Sequence, residues 1–388
     1  MKQDIYEQSL ELHRKSRGKL EIRSKVALAD KNDLSLAYTP GVAEPCRKIQ
    51  SDRKLVYEYT SKGNTVAVVT DGSAVLGLGN IGAEAAIPVM EGKSILFKEF
   101  GGVDAFPICI SSQDTEDIVR TVSLISPGFG GINLEDISAP RCFEIERRLV
   151  ETLPIPVFHD DQHGTAVVVL AALLNGLKVV EKNISNVRIV INGAGAAGIA
   201  IARFLHNAGA GSITLCDTKG IICRDRTENM NFAKEEVMKY LAPSKRGSLS
   251  DAMKNADIFI GVSGPDTVKE EMVREMNAGS IVLAMSNPVP EIMPEKAKKA
   301  GAAVVGTGRS DMPNQINNLL AFPGIFRGAL DANARKITEK MKLAASRAIS
   351  SQVPENRLNS DFIIPSPLDR EVGRAVAREV AAAWRQEN

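Results

Sequence analysis

The chain has 388 residues, with 48 Lys and Arg against 47 Asp and Glu, and 44% of its residues are hydrophobic. That length exceeds what one core of roughly 250–300 residues organises, so two domains are expected. The hydrophobic share excludes a disordered chain, and the balanced charge excludes the basic stripe of a nucleic-acid-binding protein.

The N-terminal stretch MKQDIYEQSLELHRKSRGK is charged throughout. It lacks the apolar core of a secretory signal, and its acids argue against a transit peptide. Short β-branched runs follow at 66–70, 94–97, 155–158, 187–191, 212–216, 257–262, 280–284 and 302–305. Continuous apolar runs of this length fit strands buried on both faces of a parallel sheet. Helical patterns lie between them at 164–181, 196–209 and 268–276, and the chain reads as mostly helical from about 326, notably Ala334 to Ser350 and Asp369 to Trp384. Strand alternating with helix predicts an α/β fold. The expected division is 1–160, 161–320 and a helical segment 321–388 that could cover either domain, with the boundary near His159–Gly164. No apolar run is long enough for a transmembrane helix, so no membrane partner is expected. The five cysteines (Cys46, Cys109, Cys142, Cys216 and Cys223) form no CxxC pair. They read as reduced packing residues of a cytoplasmic protein.

The run at 187–191 leads into Gly193-Ala194-Gly195-Ala196-Ala197-Gly198, a GxGxxG, and a helical pattern begins at once. The next run ends at Asp217, 19 residues after Gly198. Strand, glycine turn, helix and a later acid together make a dinucleotide site of Rossmann type. The turn lets the backbone approach a pyrophosphate, and the helix N-terminus offers it free N–H groups. Asp217 would accept from the ribose hydroxyls and repel a 2′-phosphate, so the reading is NAD or NADP with a lean to NAD. Lys219 and Arg224 lie nearby to offset that repulsion.

Two acidic pairs, Glu135-Asp136 and Asp160-Asp161, each follow an apolar segment. Buried adjacent carboxylates need a cation or donors, and an all-oxygen set suits Mg²⁺ or Mn²⁺. The alternative is helix capping, which Asp161 before GTAVVVL would suit. His159 and His163 have the i, i+4 spacing of a zinc pair, but Pro154 and Pro156 put His159 at a strand end, so no zinc site is expected.

Seven segments, in order, resemble those of the malic enzyme family in its short prokaryotic form. They are AYTPGV at 37–42, TDGSAVLGLGN at 70–80, IPVMEGK at 87–93, NLED at 133–136, FHDDQHGT at 158–165, MSNP at 285–288 and NNLLAFPG at 317–324. The resemblance implies an N-terminal α/β substrate and metal domain followed by a Rossmann domain. It implies oxidative decarboxylation of L-malate to pyruvate and CO₂ with reduction of NAD(P)⁺. Lys93 matches the family's base, and a lysine in that role needs its pKa lowered. Tyr38 matches the general acid. Glu135, Asp136 and Asp161 match the metal ligands, and Asp160 a neighbouring acid that supports them. Asn287 and Asn318 match substrate-holding residues, Asn287 also reaching the cofactor. Alternatives are conversion of malate to lactate, plain oxaloacetate decarboxylation, or a silent NAD-binding sensor. One departure is Ala74, which stands where larger relatives carry a carboxylate-binding arginine. Ser73, the asparagines or a basic group from a second subunit could replace it, which would make the protein a homodimer with a shared site. The chain's end after the last helix predicts no acetyltransferase-like extension, and the split of groups about residue 162 predicts a hinge.

Overall fold

A computed structural model describes residues 2–388. Four helices open the chain: α1 (Lys2–Ser16), α2 (Lys31–Ala37), α3 (Ala43–Ser51) and α4 (Val56–Tyr59). Then β1 (Thr65–Thr70), α5 (Gly82–Gly101), β2 (Asp104–Cys109), α6 (Thr115–Ile125), β3 (Gly131–Leu134), α7 (Arg141–Thr152) and β4 (Val157–His159) build a parallel sheet in the order β2-β1-β3-β4. The helix α8 (Asp160–Val179) leads to a second sheet. It is assembled from β5 (Arg188–Asn192), α9 (Ala196–Asn207), β6 (Ser212–Asp217), β7 (Gly220–Ile221), α10 (Phe232–Val237), α11 (Leu249–Met253), β8 (Ile258–Gly261), α12 (Glu270–Arg274), β9 (Ile281–Ala284), α13 (Pro294–Lys299) and β10 (Val304–Thr307). Its order is β10-β9-β8-β5-β6-β7, parallel except for β7. Three helices close the chain: α14 (Phe322–Asp331), α15 (Glu339–Ser350) and α16 (Arg370–Glu387).

Most of the expected strands form, and those of the second sheet's centre are buried along nearly their whole length, as helices on both faces require. The run at 94–97 does not: it lies in the last turns of α5. Met90, Lys93, Ser94, Phe97 and Gly101 bury one helical face at three- and four-residue spacing, and that longer period outweighs a four-residue apolar run. The unexpected β2 is an edge strand, half-exposed, where Pro107 costs no central ladder bond. Helix α12 is shorter than the 268–276 pattern. Among the cysteines Cys46 is exposed on α3 and so is no core residue, while Cys142, Cys216 and Cys223 are buried and all five are free thiols.

By length and composition α8 is apolar enough to cross a bilayer. Here it is the central core helix, buried on nearly every side. One apolar cluster runs from Val66 and Val68 of the first sheet through α8 to Ile189 and Ile281 of the second. The closing helices return to the first sheet. Phe322 and Phe326 of α14 meet the Phe97 ring edge-on at 4.8 and 5.3 Å. Against α8, the Ser346 hydroxyl donates to the Val167 carbonyl at 2.9 Å. The Asn175 amide donates to the carbonyls of Ser350 and Ile363 at 2.8 and 2.9 Å. The segment 351–369 between α15 and α16 is not α-helical.

Phe326 touches the rings of both Phe97 and Phe158, fully buried. Phe326→Ala is expected to lower stability by about 3–5 kcal/mol, read as a lower urea midpoint at unchanged slope.

Candidate active site

Parallel strands end on one edge of the sheet, so the residues just past β3 and β4 meet. The register pairs Leu134 with His159, which sets Glu135-Asp136 beside Asp160-Asp161. Asp136 takes a left-handed backbone, φ 54°, uncommon for a residue with a Cβ and suited to turning its carboxylate sharply out of the strand. Its N–H donates to Asp161 Oδ2 at 2.8 Å, so Asp161 does not cap α8. A Cβ on Gly164 would strike the Asp160 carboxylate, which leaves glycine as the residue that fits there.

Lys93 enters from α5. Its Nζ lies 2.6 Å from Asp160 Oδ2 and 2.9 Å from Glu135 Oε1, and 4.3 Å from the centre of the Phe322 ring. The Asn318 amide donates to Asp160 Oδ2 at 2.5 Å, and the Asn133 amide to Glu135 Oε2 at 2.8 Å. Lys93, Glu135, Asp136, Asp161 and Asn318 line a cavity of about 560 Å³, with Asp160 fully buried beneath.

Carboxylate oxygens of Glu135, Asp136 and Asp161 fall within 4.8 Å of one another. Burial and mutual repulsion push their pKa values up: Asp136 to about 9, Glu135 to about 7 and Asp161 to about 6. Burial likewise lifts Asp160 to about 7, against the pull of Lys93. Asp160 Oδ1 and Asn133 Oδ1 are buried with no hydrogen-bond partner. An all-oxygen set that repels itself this strongly fits a hard divalent cation. Lys93 departs from the sequence expectation. Burial alone would lower its pKa, but Asp160 and Glu135 outweigh burial and hold it above the ordinary lysine value. The two histidines do not converge on a metal: His159 ends β4 and is kept neutral by burial, its pKa near 4, while His163 Nε2 turns to Glu146 at 2.9 Å.

The glycine turn lies between β5 and α9. Gly193 has φ 115°, and a Cβ there would meet the Val262 carbonyl. Gly195 is the N-cap of α9 with open space above it, Ala196 and Ala197 form the first turn, and a Cβ on Gly198 would collide with the Gly193 carbonyl. Asp217 sits at the end of β6, but not as a free acceptor. Its Oδ2 is paired to Arg226 at 2.5 Å and Lys234 at 2.6 Å, and Oδ1 accepts from the Lys219 N–H at 2.8 Å. Burial would raise the Asp217 pKa, and these donors hold it below the usual range instead. The offsetting cations are thus Arg226 and Lys234; the Lys219 ammonium pairs with Glu228, and Arg224 makes no pair with Asp217.

Two of the sequence's candidates stand apart. Tyr38 caps α2 and is 67% exposed, away from the lysine cavity. Asn287 lies on the loop after β9, its carbonyl near Gly77 of the first sheet's loop, and does not line that cavity. The Ser73 hydroxyl, a candidate for the missing arginine's place, accepts the Ser138 N–H at 2.9 Å, which leaves its own O–H able to donate. Sequence reasoning missed Lys19, which lines the cavity beside Lys93, and Asn133, which orients Glu135. It also missed Glu291, whose fully buried carboxylate accepts from the N–H groups of Ser263 and Ser286 at 2.8 and 3.0 Å and so ties the loops after β8 and β9 together. Lys19 lies in an unpatterned charged run, so no sequence signal marked it; Asn133, two residues before the acid it holds, was legible from spacing.

The family model for the malic enzyme NAD binding domain matches residues 162–384, and that for the malic enzyme N-terminal domain matches residues 17–118. The chain belongs to the malic enzyme family. It is 58% identical to the bifunctional malic/malolactic enzyme of Bacillus subtilis, over 98% of this chain and 93% of that protein. It is 48% identical to the NADP-dependent malic enzyme of Escherichia coli, where it spans 94% of this chain and 50% of that protein. The crystal structure of malic enzyme from Pyrococcus horikoshii superposes with a TM-score of 0.94 at 50% identity, covering 99% of this chain and 91% of that one. The malic enzyme fold therefore extends over both sheets and the closing helices.

Because the acids' folded pKa values stand above their unfolded ones, their contribution favours folding at low pH and is lost as pH rises through about 6 to 9. A cation removes that loss by replacing the protons. Mn²⁺ is thus expected to raise the melting temperature more at pH 8 than at pH 5.5, and much less in Asp136→Asn, by differential scanning fluorimetry.

Proposed function

We propose that this malic enzyme homologue oxidatively decarboxylates L-malate to pyruvate and CO₂ with reduction of NAD(P)⁺. The observation that carries the reading is one buried lysine held against carboxylates at the joined ends of β3 and β4. The metal-holding acids, Tyr38 and Lys93 precede residue 162 and the dinucleotide turn follows it. Glu135, Asp136 and Asp161 would hold Mg²⁺ or Mn²⁺, which when bound supplies Lewis acidity toward the C2 oxygen of malate. The turn at Gly193–Gly198 would seat the dinucleotide, which when bound would supply the acceptor for the C2 hydride.

The remaining chemistry belongs to the chain. Lys93 accepts the C2 hydroxyl proton once the negative charge of Asp160 and Glu135 no longer holds its own proton in place. Asp160 and the Phe322 ring fix where its Nζ points. Asn318 and Asn287 orient the malate carboxylate and hydroxyl. After CO₂ leaves, Tyr38 donates a proton to C3, and Lys93 restores it. Lys19, in the cavity wall, is a cation for the carboxylate that the absent arginine leaves unmatched. Arg226 and Lys234 temper the repulsion of a 2′-phosphate by Asp217, so both NAD⁺ and NADP⁺ are accommodated.

Tyr38 is exposed on a segment whose apolar side chains face solvent, including Leu34, Leu36 and Val42. Such a patch fits a protein interface. A homodimer in which each Tyr38 enters the partner's cavity accounts for both facts. Five free cysteines support a cytoplasmic setting. The Bacillus subtilis relative's name favours one second reading, release of lactate with the cofactor retained.

Absorbance at 340 nm with malate, Mn²⁺ and either cofactor tests the activity, and no reduced cofactor from either would sink it; lactate in the product would favour the second reading. Lys93→Ala is expected to lower kcat by about 10²–10⁴-fold. Mixing inactive Lys93→Ala with inactive Tyr38→Phe should recover activity if the site is shared, and none if each chain works alone. Lys234→Ala should raise the KM for NADP⁺ more than that for NAD⁺, since Asp217 is then less offset.

A further inference from the structure

A second cavity, of about 750 Å³, is walled by α7, α8, α9, α10 and the start of α15. Small-molecule pockets run to about 300–1,000 Å³. Neither the glycine turn nor the carboxylates grouped for a metal line it. Gln162 does, at 1% exposure, and both its amide oxygen and its amide nitrogen lack a partner. Buried amides are nearly always hydrogen-bonded, so an orphan aimed into a cavity marks a place for a ligand.

The charges around it are unequally matched. Glu339 is paired with Lys342, Glu151 with Arg147 and Glu144 with Arg148, while Glu146 hydrogen-bonds His163, whose pKa burial holds below its ordinary value. Among the described residues, Arg203, Lys239 and Lys336 line the cavity and form no ion pair, against Glu236 and Glu146 on the acidic side. Arg203 is half-buried on the face of α9 that also presents Ile199 and Asn207, while Lys239 and Lys336 are exposed at the mouth. Phe143, Phe232 and Tyr240 supply apolar wall. Inner cation, outer cations and apolar flanks together describe a host for an organic molecule with acidic groups at both ends.

We propose that this cavity is a second ligand site, for a small organic dianion held inside by Arg203 and the Gln162 amide and at the mouth by Lys239 and Lys336. The site is coupled to catalysis through one helical turn. Gln162 and His163 follow directly on Asp160 and Asp161 at the start of α8, and the Glu146 carboxylate ties His163 to the His159 N–H at 2.9 Å. A ligand seated on Gln162 therefore bears on the turn that carries two of the acids near Lys93. This coupling rests on the malate reading; the binding does not.

Glutarate and 3-phosphoglycerate, at matched ionic strength, separate carboxylate from phosphate recognition in titration calorimetry of the full chain. At least one is expected to bind one per chain with Kd below about 1 mM, and Arg203→Ala to weaken it tenfold or more. The double variant Lys239→Ala, Lys336→Ala changes only exposed side chains and should weaken binding as well. In malate assays the bound anion should shift KM or kcat at least twofold in the native chain and not in Arg203→Ala. No binding of either probe, or binding lost in Lys93→Ala yet untouched in the Arg203 and double variants, overturns the site. Binding with unchanged kinetics overturns the coupling. Absence of malate turnover would undo the proposed function while leaving the binding result to stand.

Discussion

Four carboxyl groups, Glu135, Asp136, Asp160 and Asp161, are gathered near one ammonium group, that of Lys93, and all but Asp161 are buried. Charge that dense is costly in a protein interior unless its geometry is held from outside. The architecture supplies that hold. Parallel pairing of β3 with β4 fixes the spacing of the two acidic pairs, α5 delivers the lysine, and Asn133 and Asn318 donate to Glu135 Oε2 and Asp160 Oδ2. Burial first and mutual repulsion second raise the acids' pKa values, the acids in turn raise that of the lysine, and a divalent cation would offset the surplus of negative charge.

The same constraint explains why α8 is the spine of the molecule. Its first turn carries Asp160 and Asp161, its middle is apolar on nearly every side, and its far end is pinned by Asn175 to the chain beyond α15. A helix anchored along its whole length holds its first two residues still. The closing helices, which sequence left free to cover either domain, brace this element and α5 together through Phe322, Phe326 and Ser346. Length suggested two cores, yet the largest apolar cluster runs through both sheets by way of α8. Any hinge between the halves must therefore bend around this helix.

Legibility in the sequence followed the range of the interaction. The turn Gly193–Gly198 is a local device, set by backbone room and helix start, and its glycines stand where the collisions require them. The buried strands of the second sheet read correctly because a continuous apolar run has one dominant explanation when helices flank it. SILF at 94–97 misled, since only the surrounding turns of α5 show the helical period. β2 escaped notice because an edge strand with Pro107 carries neither alternation nor a full apolar run. The partners of Asp217 were misassigned for a related reason: Arg226 and Lys234 reach it from 9 and 17 residues on, by way of a loop whose path no local pattern reveals.

The sequence by itself determined the chemistry available: the glycine turn, the acidic pairs, the lysine, and the ordered segments that mark the malic enzyme family. These are properties of residue type and short spacing, which covalent geometry and local sterics set. Tertiary structure alone decided what each group touches. It brought Lys93 to Asp160 across 67 residues of chain, left Tyr38 on an exposed helix, and enclosed Gln162 without a partner. Those outcomes depend on strand register and helix packing, which sum many weak contacts between residues far apart in the chain.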